Sequence, residues 1–598
     1  MIDNVITTTF RQLFESRIQF VIPFFQRGYA WDKTQWKQLF DDIENEIIND
    51  INDGDYKDFE HFFSSIVVMP KNNTNLNGIQ RFDIIDGQQR ITTIYLLLSV
   101  IRTILEERSN ESIEAKNFIN NIKKYLENTL NFGEDGDYKK LKVFSSKGDR
   151  LSTYKIVFNS DPQDNLVRLD NQFISHISKV TLFEKWLYGT ANTKHKLTKR
   201  TTEELILLSN IILDCLKIVW IPLAPDSNNA QAIFESLNAR GTPLSASELL
   251  CNYIFRGFET LKDEKIEELH NDYWLYVANK ESIKFDNYLM HLYSIGESKN
   301  IGKGYKVYSY FKKHNSTINE ENSLNHLKKI KEYFKFYELV INPMYKENID
   351  SNIIDILKDI NTTSMESATP FLIEILKDYF DNNLALEELL IILKEILTMI
   401  IRIKIVGQYT AQISNLFPSL YSNIKNKDNK IEILHQKFKE FDYFISDSDF
   451  KDAFINTKLY ANNNQSFTRM ILVSIDKSQH TFGQYPDYST LNTIEHICPQ
   501  NGRDETGWTQ YLKEDSKDEE LSKVIHTIGN LLLLSRPANS HASNNPFKDK
   551  IATYHKLTYL NKDIISRYEN NIIWNIESIK NRSKDIADIA LSIWKWNK

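Results

Sequence analysis

Along the first third of the chain, short apolar runs alternate with helical periodicity. Residues 18–25 are apolar and end in a Pro-containing turn, and residues 61–69, with Phe62, Phe63, Ile66, Val67 and Val68, read as a strand. Residues 81–86 read as another strand. Directly after it Ile91, Ile94, Tyr95, Leu98, Ile101 and Leu105 recur at helical spacing, which predicts a helix with one apolar face. Residues 131–165 turn polar and rich in Gly, Asp and Ser, and predict a hairpin-bearing loop region. Residues 216–223 are apolar and β-rich, a predicted buried strand. A helix over 229–237, a turn at 238–243 and a helix from Ser245 are predicted to follow. Ser245-Ala246-Ser247-Glu248 fits a capping box, in which Ser and Glu each satisfy an orphan backbone donor.

From about residue 262 to 472 almost everything reads as amphipathic helix with few Gly or Pro and no fixed-period repeat. The most apolar region, 384–406, is broken by Glu387, Glu388, Lys394, Glu395, Arg402 and Lys404, which predicts a buried helix pair and not a membrane span. The polar stretch 476–489 is an expected boundary. After it come a compact segment dense in His, Asn and Pro and a terminal helical run. The expected architecture is a multidomain, mostly helical α+β protein divided at 1–260, 261–474 and 475–598.

Composition narrows the classes. With 598 residues, 26% charged, 18 Gly and 13 Pro, the chain is neither collagen-like nor Pro/Gly-rich and disordered. A net charge of -7 argues against coating nucleic acid by bulk charge but leaves room for a local basic groove. Cys215, Cys251 and Cys498 lie far apart with no CxxC pair, so neither a disulfide framework nor a Cys-based zinc site is expected. The first residues lack a basic flank and an apolar core, so no secretory signal is read, and a reducing, cytoplasmic location is the expectation.

Two constellations carry candidate chemistry. In the first, the strand ending at Ile85 runs into Asp86-Gly87-Gln88-Gln89-Arg90 and then a helix. A helix N-terminus offers unpaired N–H groups and partial positive charge, glycine admits close approach, and Arg supplies a fork of donors, which together suit a phosphate. The same pattern also fits an ordinary Asp-Gly turn with Arg90 paired to Asp83 or Asp86. Upstream, residues 22–31 place Gln26 and Arg27 beside aromatics. No Walker A pattern is present, which excludes a P-loop motor.

The second constellation is Thr493-Ile494-Glu495-His496-Ile497-Cys498-Pro499-Gln500, then His526-Thr527-Ile528-Gly529-Asn530-Leu531, then Asn539 to Lys550 opening a helix. Phosphodiester hydrolysis uses such parts: an imidazole to take a proton from water, and a carboxylate and an amide oxygen as hard ligands for one divalent cation. Taken singly, each residue fits equally a capped strand end or a turn.

The ordered sets resemble a known family. Residues 22–31, 86–93 and 234–244 together resemble the N-terminal domain of the GmrSD-type restriction proteins, with a ParB/sulfiredoxin-like α/β fold carrying a DGQQR motif. The Glu-His-Ile-x-Pro-Gln, Ile-Gly-Asn-Leu and Asn-Ser-x-x-Ser-Asn-x-x-Phe-x-x-Lys runs resemble the HNH, or His-Me finger, nuclease half of the same proteins, a ββα-metal domain. The resemblance implies nucleotide binding and hydrolysis by Asp86, Gly87, Gln88, Gln89 and Arg90, with Gln26 and Arg27 nearby. It implies His496 as general base, Asn530 orienting the site, and Glu495 and Asn539 as ligands of Mg²⁺ or Mn²⁺. Lys550 and Asn544 become DNA-contact candidates, and His526 and His541 weaker site candidates. Glu495 departs from the Asp common at its place, which puts that ligand in doubt.

The implied protein is a nucleotide-responsive, metal-dependent DNA endonuclease that restricts modified phage DNA in bacteria. Its partners would be double-stranded DNA and a nucleoside triphosphate of unassigned base. No membrane partner is expected, and a homo-oligomer is left open. The alternatives are a ParB-like nucleotide switch with an inactive nuclease half, and an RNase or toxin nuclease. Two further features have plain readings: Tyr29, Trp31, Trp36 and Phe24–Phe25 as a hydrophobic cluster and not a base pocket, and Lys328, Lys329, Lys331 and Lys335 as a solvated helix face and not a DNA path.

Overall fold

The computed structural model describes residues 5–23, 26, 28–43, 56, 59–71, 78–108, 112–128, 140–159, 183, 197–223, 244–258, 261, 263–280, 284–345, 347–408, 412–460, 464–480, 484–501, 506–508, 518–570 and 573–597. They form a mostly helical α+β protein with two compact units. One unit is residues 1–272 with 315–324, the other 273–314 with 325–598.

The first unit holds a mixed six-stranded sheet, β1 (Ile6–Thr9), β2 (Ile18–Val21), β3 (His61–Pro70), β4 (Gln80–Asp86), β5 (Val143–Phe144) and β6 (Leu216–Pro222), in the order β1-β6-β3-β4-β2-β5. The strands expected at 61–69, 81–86 and 216–223 are all present. β3 runs antiparallel to β4, and β4 parallel to β2.

β4 passes straight into the helix Gln88–Glu107 through Gly87, whose φ of +94° is the left-handed region. A Cβ there would also meet Ile66 Cγ1 at 3.1 Å and the Ser65 carbonyl at 3.2 Å, so only glycine fits the turn. The helix is buried on every side from Ile91 to Leu105, where one apolar face was expected. Two of its buried hydroxyls are satisfied within the helix: Thr93 and Ser99 donate to the Gln89 and Tyr95 carbonyls one turn back, at 2.7 and 2.8 Å. Polar letters in this sequence therefore do not mark a solvent face.

The stretch expected as loop at 131–165 contains β5 and a helix, Lys147–Phe158; residues 131–139 and 160–165 lie outside the described residues. Tertiary contacts make that helix. Its buried Asp149 accepts from Tyr29 N at 2.6 Å and from Ser146 Oγ at 2.8 Å. The capping box at Ser245 is present, with Glu248 N donating to Ser245 Oγ at 3.2 Å and Ser245 N to Glu248 Oε2 at 2.7 Å. The helix and turn expected over 229–243, and Phe24, Phe25 and Arg27, lie outside the described residues. Tyr29 and Trp36 are core: the indole N–H of Trp36 donates to the Tyr29 oxygen at 2.9 Å, which also bonds Thr93 Oγ1 at 2.6 Å.

The second unit is built of helices around a short hairpin. The apolar region expected as a helix pair is one helix, Leu386–Val406. Two of its interrupting charges, Arg402 and Glu395, are anchors. Arg402 is fully buried and donates to the Trp594 and Ile445 carbonyls at 2.8 and 2.9 Å, and Glu395 accepts from Asn597 N at 2.8 Å. At the ends of the polar stretch 476–489, fully buried Asp476 accepts from Leu560 N at 3.0 Å and from Tyr488 Oη at 2.7 Å. Lys329 and Lys331 lie over the rings of Tyr293 and Tyr333, and of Tyr273 and Tyr276. Among the described residues no helix is long and apolar enough to cross a membrane.

Candidate active site

The hairpin pairs β7 (Thr493–His496) antiparallel with β8 (Leu531–Leu534), setting Glu495 opposite Leu532 and His496 opposite Leu531. β8 is a run of four buried leucines and seats the hairpin in the core. The helix Arg536–Ala542 follows at once, capped by Ser535, and the helix Phe547–Thr553 comes next. The turn before β8 is clamped from behind. A Cβ on Gly529 would fall 2.1 Å from the Ile579 carbonyl, and buried Arg582 donates to the Gly529 and Leu531 carbonyls at 2.8 and 3.1 Å.

Neighbouring side chains on a strand point to opposite faces. His496 and Glu495 obey this and reach different surroundings. The His496 imidazole lies between two partners: Nε2 is 3.1 Å from His526 Nδ1, and Nδ1 is 3.1 Å from Gln500 Nε2. Tyr460 packs edge-on to it, with ring centroids 4.6 Å apart. Burial, then His526 and Lys550, push its pKa down to about 3, so the ring is neutral at ordinary pH and its free lone pair is available to a water.

Glu495 faces the other way. Its Oε1 accepts from Lys550 Nζ at 2.6 Å and from Tyr554 Oη at 3.2 Å, with both ion-pair side chains at most 5% exposed. Burial raises the Glu495 pKa and lowers that of Lys550, and their mutual attraction opposes both shifts. Lys550 also donates to the His496 carbonyl at 2.8 Å. As the chain stands, Lys550 is structural and has no surface to offer a phosphate.

Asn530 is fully buried and its side chain makes four bonds, none to the imidazole. Its Oδ1 accepts from Cys498 N at 2.8 Å and Trp574 Nε1 at 3.3 Å, and its Nδ2 donates to the Cys498 and Ile525 carbonyls, both at 2.9 Å. It pins the turn after β7 to the turn before β8, and so fixes the backbone that carries His496. Asn539 lies in the helix after β8 and donates from Nδ2 to the Ile494 carbonyl at 3.3 Å. Asn544 is partly exposed in the next turn, and His541 is exposed.

A divalent ion at Glu495 would have to compete with Lys550, whereas the Asn539 side-chain oxygen is left to one. An ammonium already holds the positive position at Glu495, and no group of three or more His, Cys, Asp or Glu among the described residues could hold a metal ion.

The Asp86–Arg90 segment is also spoken for internally. Gln89 Oε1 accepts from Ala30 N at 2.6 Å and Trp31 N at 3.3 Å, and its Nε2 donates to the Gly28 carbonyl at 3.2 Å. Gln26 Nε2 donates to the Ile84 carbonyl at 2.8 Å. Arg90 donates to the Ser65 carbonyl at 2.8 Å and pairs with Asp86 at 3.4 Å. Gln26 and Gln89 thus stitch residues 26 and 28–31 to β4 and its helix. Fit to an anion rests on the helix start itself, which has no side-chain cap, and on the partly exposed Arg90 and Gln88.

Gln500, Tyr460 and Tyr554 were not foreseen at the site, nor Asp149 behind the N-terminal loop. Gln500 sits inside the Ile-x-Pro-Gln run and carried that signal; the two tyrosines had none in sequence.

Comparison with known families agrees with the two constellations. The model of the GmrSD restriction endonuclease N-terminal domain matches residues 10–255, and that of the GmrSD restriction endonuclease C-terminal domain matches residues 444–589. The second match contains the hairpin, His496 and both following helices. A comparison with curated proteins finds no match. The two matches make the protein a restriction endonuclease, an enzyme that cuts DNA in defence. The chain belongs to the GmrSD restriction endonuclease family.

Proposed function

We propose that the protein hydrolyses phosphodiester bonds of double-stranded, modified DNA at the β7–β8 hairpin, as an HNH-type nuclease, under control of a nucleotide held by the first unit. The observation that carries this reading is a neutral, buried imidazole at the end of a two-stranded hairpin whose next element is a helix bearing Asn539. In the reaction, the water oxygen forms the new bond to phosphorus and its proton goes to His496. The electron pair of the broken P–O bond leaves with the sugar oxygen, which takes a proton from solvent. Asn530 keeps the imidazole-bearing turn in place. No step is assigned to Glu495. A requirement for Mg²⁺ or Mn²⁺ is part of the proposal, with Asn539 as the ligand candidate that the fold leaves facing the hairpin.

The nucleotide reading draws on the uncapped helix start after Gly87 and on Arg90. A phosphate there would compete with Ser65 and Asp86 for the guanidinium. Residues 1–260 would sense, 261–474 connect and 475–598 cut.

The test is cleavage by purified protein of plain plasmid, glucosylated hydroxymethylcytosine DNA and phosphorothioated DNA. Each is run with Mg²⁺, Mn²⁺ or chelator, with and without each nucleoside triphosphate. Cutting of one modified DNA that needs metal and responds to nucleotide supports the whole reading. Cutting of RNA alone would replace it with an RNase.

A further inference from the structure

We propose that His526 is a positioning residue for the cleavage reaction: its Nδ1 accepts the Nε2–H of His496, which makes Nδ1 of His496 the basic nitrogen. This rests on the reading of His496 as the base.

The argument starts from which atoms can donate. An amide nitrogen only donates, so Gln500 Nε2, 3.1 Å from His496 Nδ1, requires that nitrogen to carry a lone pair. A neutral imidazole has one N–H, which then lies on Nε2 and points at His526 Nδ1, 3.1 Å away. His526 accepts there and keeps its own proton on Nε2. The chain of donors is therefore Gln500 to His496 to His526.

The pair is built in. Tyr460 stacks on His526, with centroids 6.0 Å apart and planes 16° apart, while standing edge-on to His496. The Tyr460 backbone N–H donates to the His526 carbonyl at 3.3 Å. Behind His526, Thr527 Oγ1 donates to the Val524 carbonyl at 2.8 Å and Asn530 N to the Thr527 carbonyl at 3.1 Å, which fixes where the second ring sits.

Function follows from the tautomer. The Gln500 amide occupies the donor position that an attacking water takes when it gives its proton to His496 Nδ1. When the proton arrives, the Nε2–H remains bonded to His526, so the ring neither turns nor loses its partner as it becomes charged. Asn530, expected to orient the site, holds the backbone, and His526 orients the ring.

The experiment compares His526→Leu, which removes the acceptor, with His526→Asn, whose Oδ1 can replace it, and uses His496→Ala as reference. Kinetics are read on the DNA substrate that the wild-type protein cuts, and ring-nitrogen NMR on DNA-free protein. The expected result is a kcat about 10- to 100-fold lower for His526→Leu with KM within about twofold, and recovery to within about threefold for His526→Asn. The His496 ring should show the Nε2–H tautomer in wild type and His526→Asn, and a mixture in His526→Leu. An unchanged kcat in His526→Leu, equal damage in both variants, or an Nδ1–H tautomer in wild type would overturn the proposal. Retained cleavage by His496→Ala would instead overturn the base assignment and leave the NMR result standing.

Discussion

Lys550 and Glu495 form a buried ion pair, Nζ to Oε1 at 2.6 Å, directly behind the imidazole-bearing end of β7. The same ammonium bonds the His496 carbonyl, so one lysine holds both residues of the acidic-His dipeptide. Removing one partner of a buried pair leaves an uncompensated charge and costs about 3–5 kcal/mol. Lys550→Met should therefore lower the denaturant midpoint of the second unit strongly, and Glu495→Leu with Lys550→Met should recover most of the loss. A Lys550→Met protein that unfolds like wild type and only binds DNA less tightly would return Lys550 to the DNA surface.

Asn530 gives a second test of architecture against orientation. Asn530→Asp replaces two donors by acceptors facing the Cys498 and Ile525 carbonyls. The expected cost is on the order of 3 kcal/mol in unfolding free energy. A variant of wild-type stability with slow cleavage would mean that Asn530 acts on the imidazole after all.

In the first unit, Gln89 makes three bonds to the backbone of residues 28–31. Gln89→Ala should destabilise that unit by about 2 kcal/mol, measured by thermal unfolding without ligand. Arg90→Ala should instead weaken nucleotide binding, measured by calorimetry, with little change in melting. The reverse pattern would exchange the two assignments.

Acid should weaken the second unit through His291. Burial, then Lys303, depress its pKa from 6.5 to about 4. The unfolded state binds the proton more tightly, so the stability is fully present above pH 6.5 and is lost as pH falls through about 4. The loss is on the order of 3 kcal/mol at its full extent. Buried Asp359, raised to about 6, works the other way over an overlapping range, so the informative quantity is wild type minus His291→Gln. That difference should grow between pH 6.5 and 4; a difference flat with pH would mean that His291 is charged in the fold.

Much of this was legible where local chemistry decides. Gly87 between a strand and a helix, the Ser245–Glu248 box and His496 at a strand end each rest on a few adjacent residues, and each is found in place. Long-range partners decided the rest. The polar stretch around Asp149 becomes helix because Tyr29, 120 residues earlier, supplies a donor to its carboxylate. The charges in 386–406 read as breaks, yet Arg402 and Glu395 reach residues near 595 and leave the helix whole. Nothing in the sequence says that Lys550, 55 positions on, folds back onto Glu495. Which nitrogen of His496 is basic depends on His526 and Gln500, and only their geometry tells.

The central claim is that His496 performs hydrolysis of DNA. The most direct measurement is the single-turnover cleavage rate of wild type and His496→Ala on the same DNA, at equal folded fraction. Loss of a general base predicts a rate lower by about 10²–10⁴-fold with DNA binding retained. Equal rates for the two proteins would contradict the account.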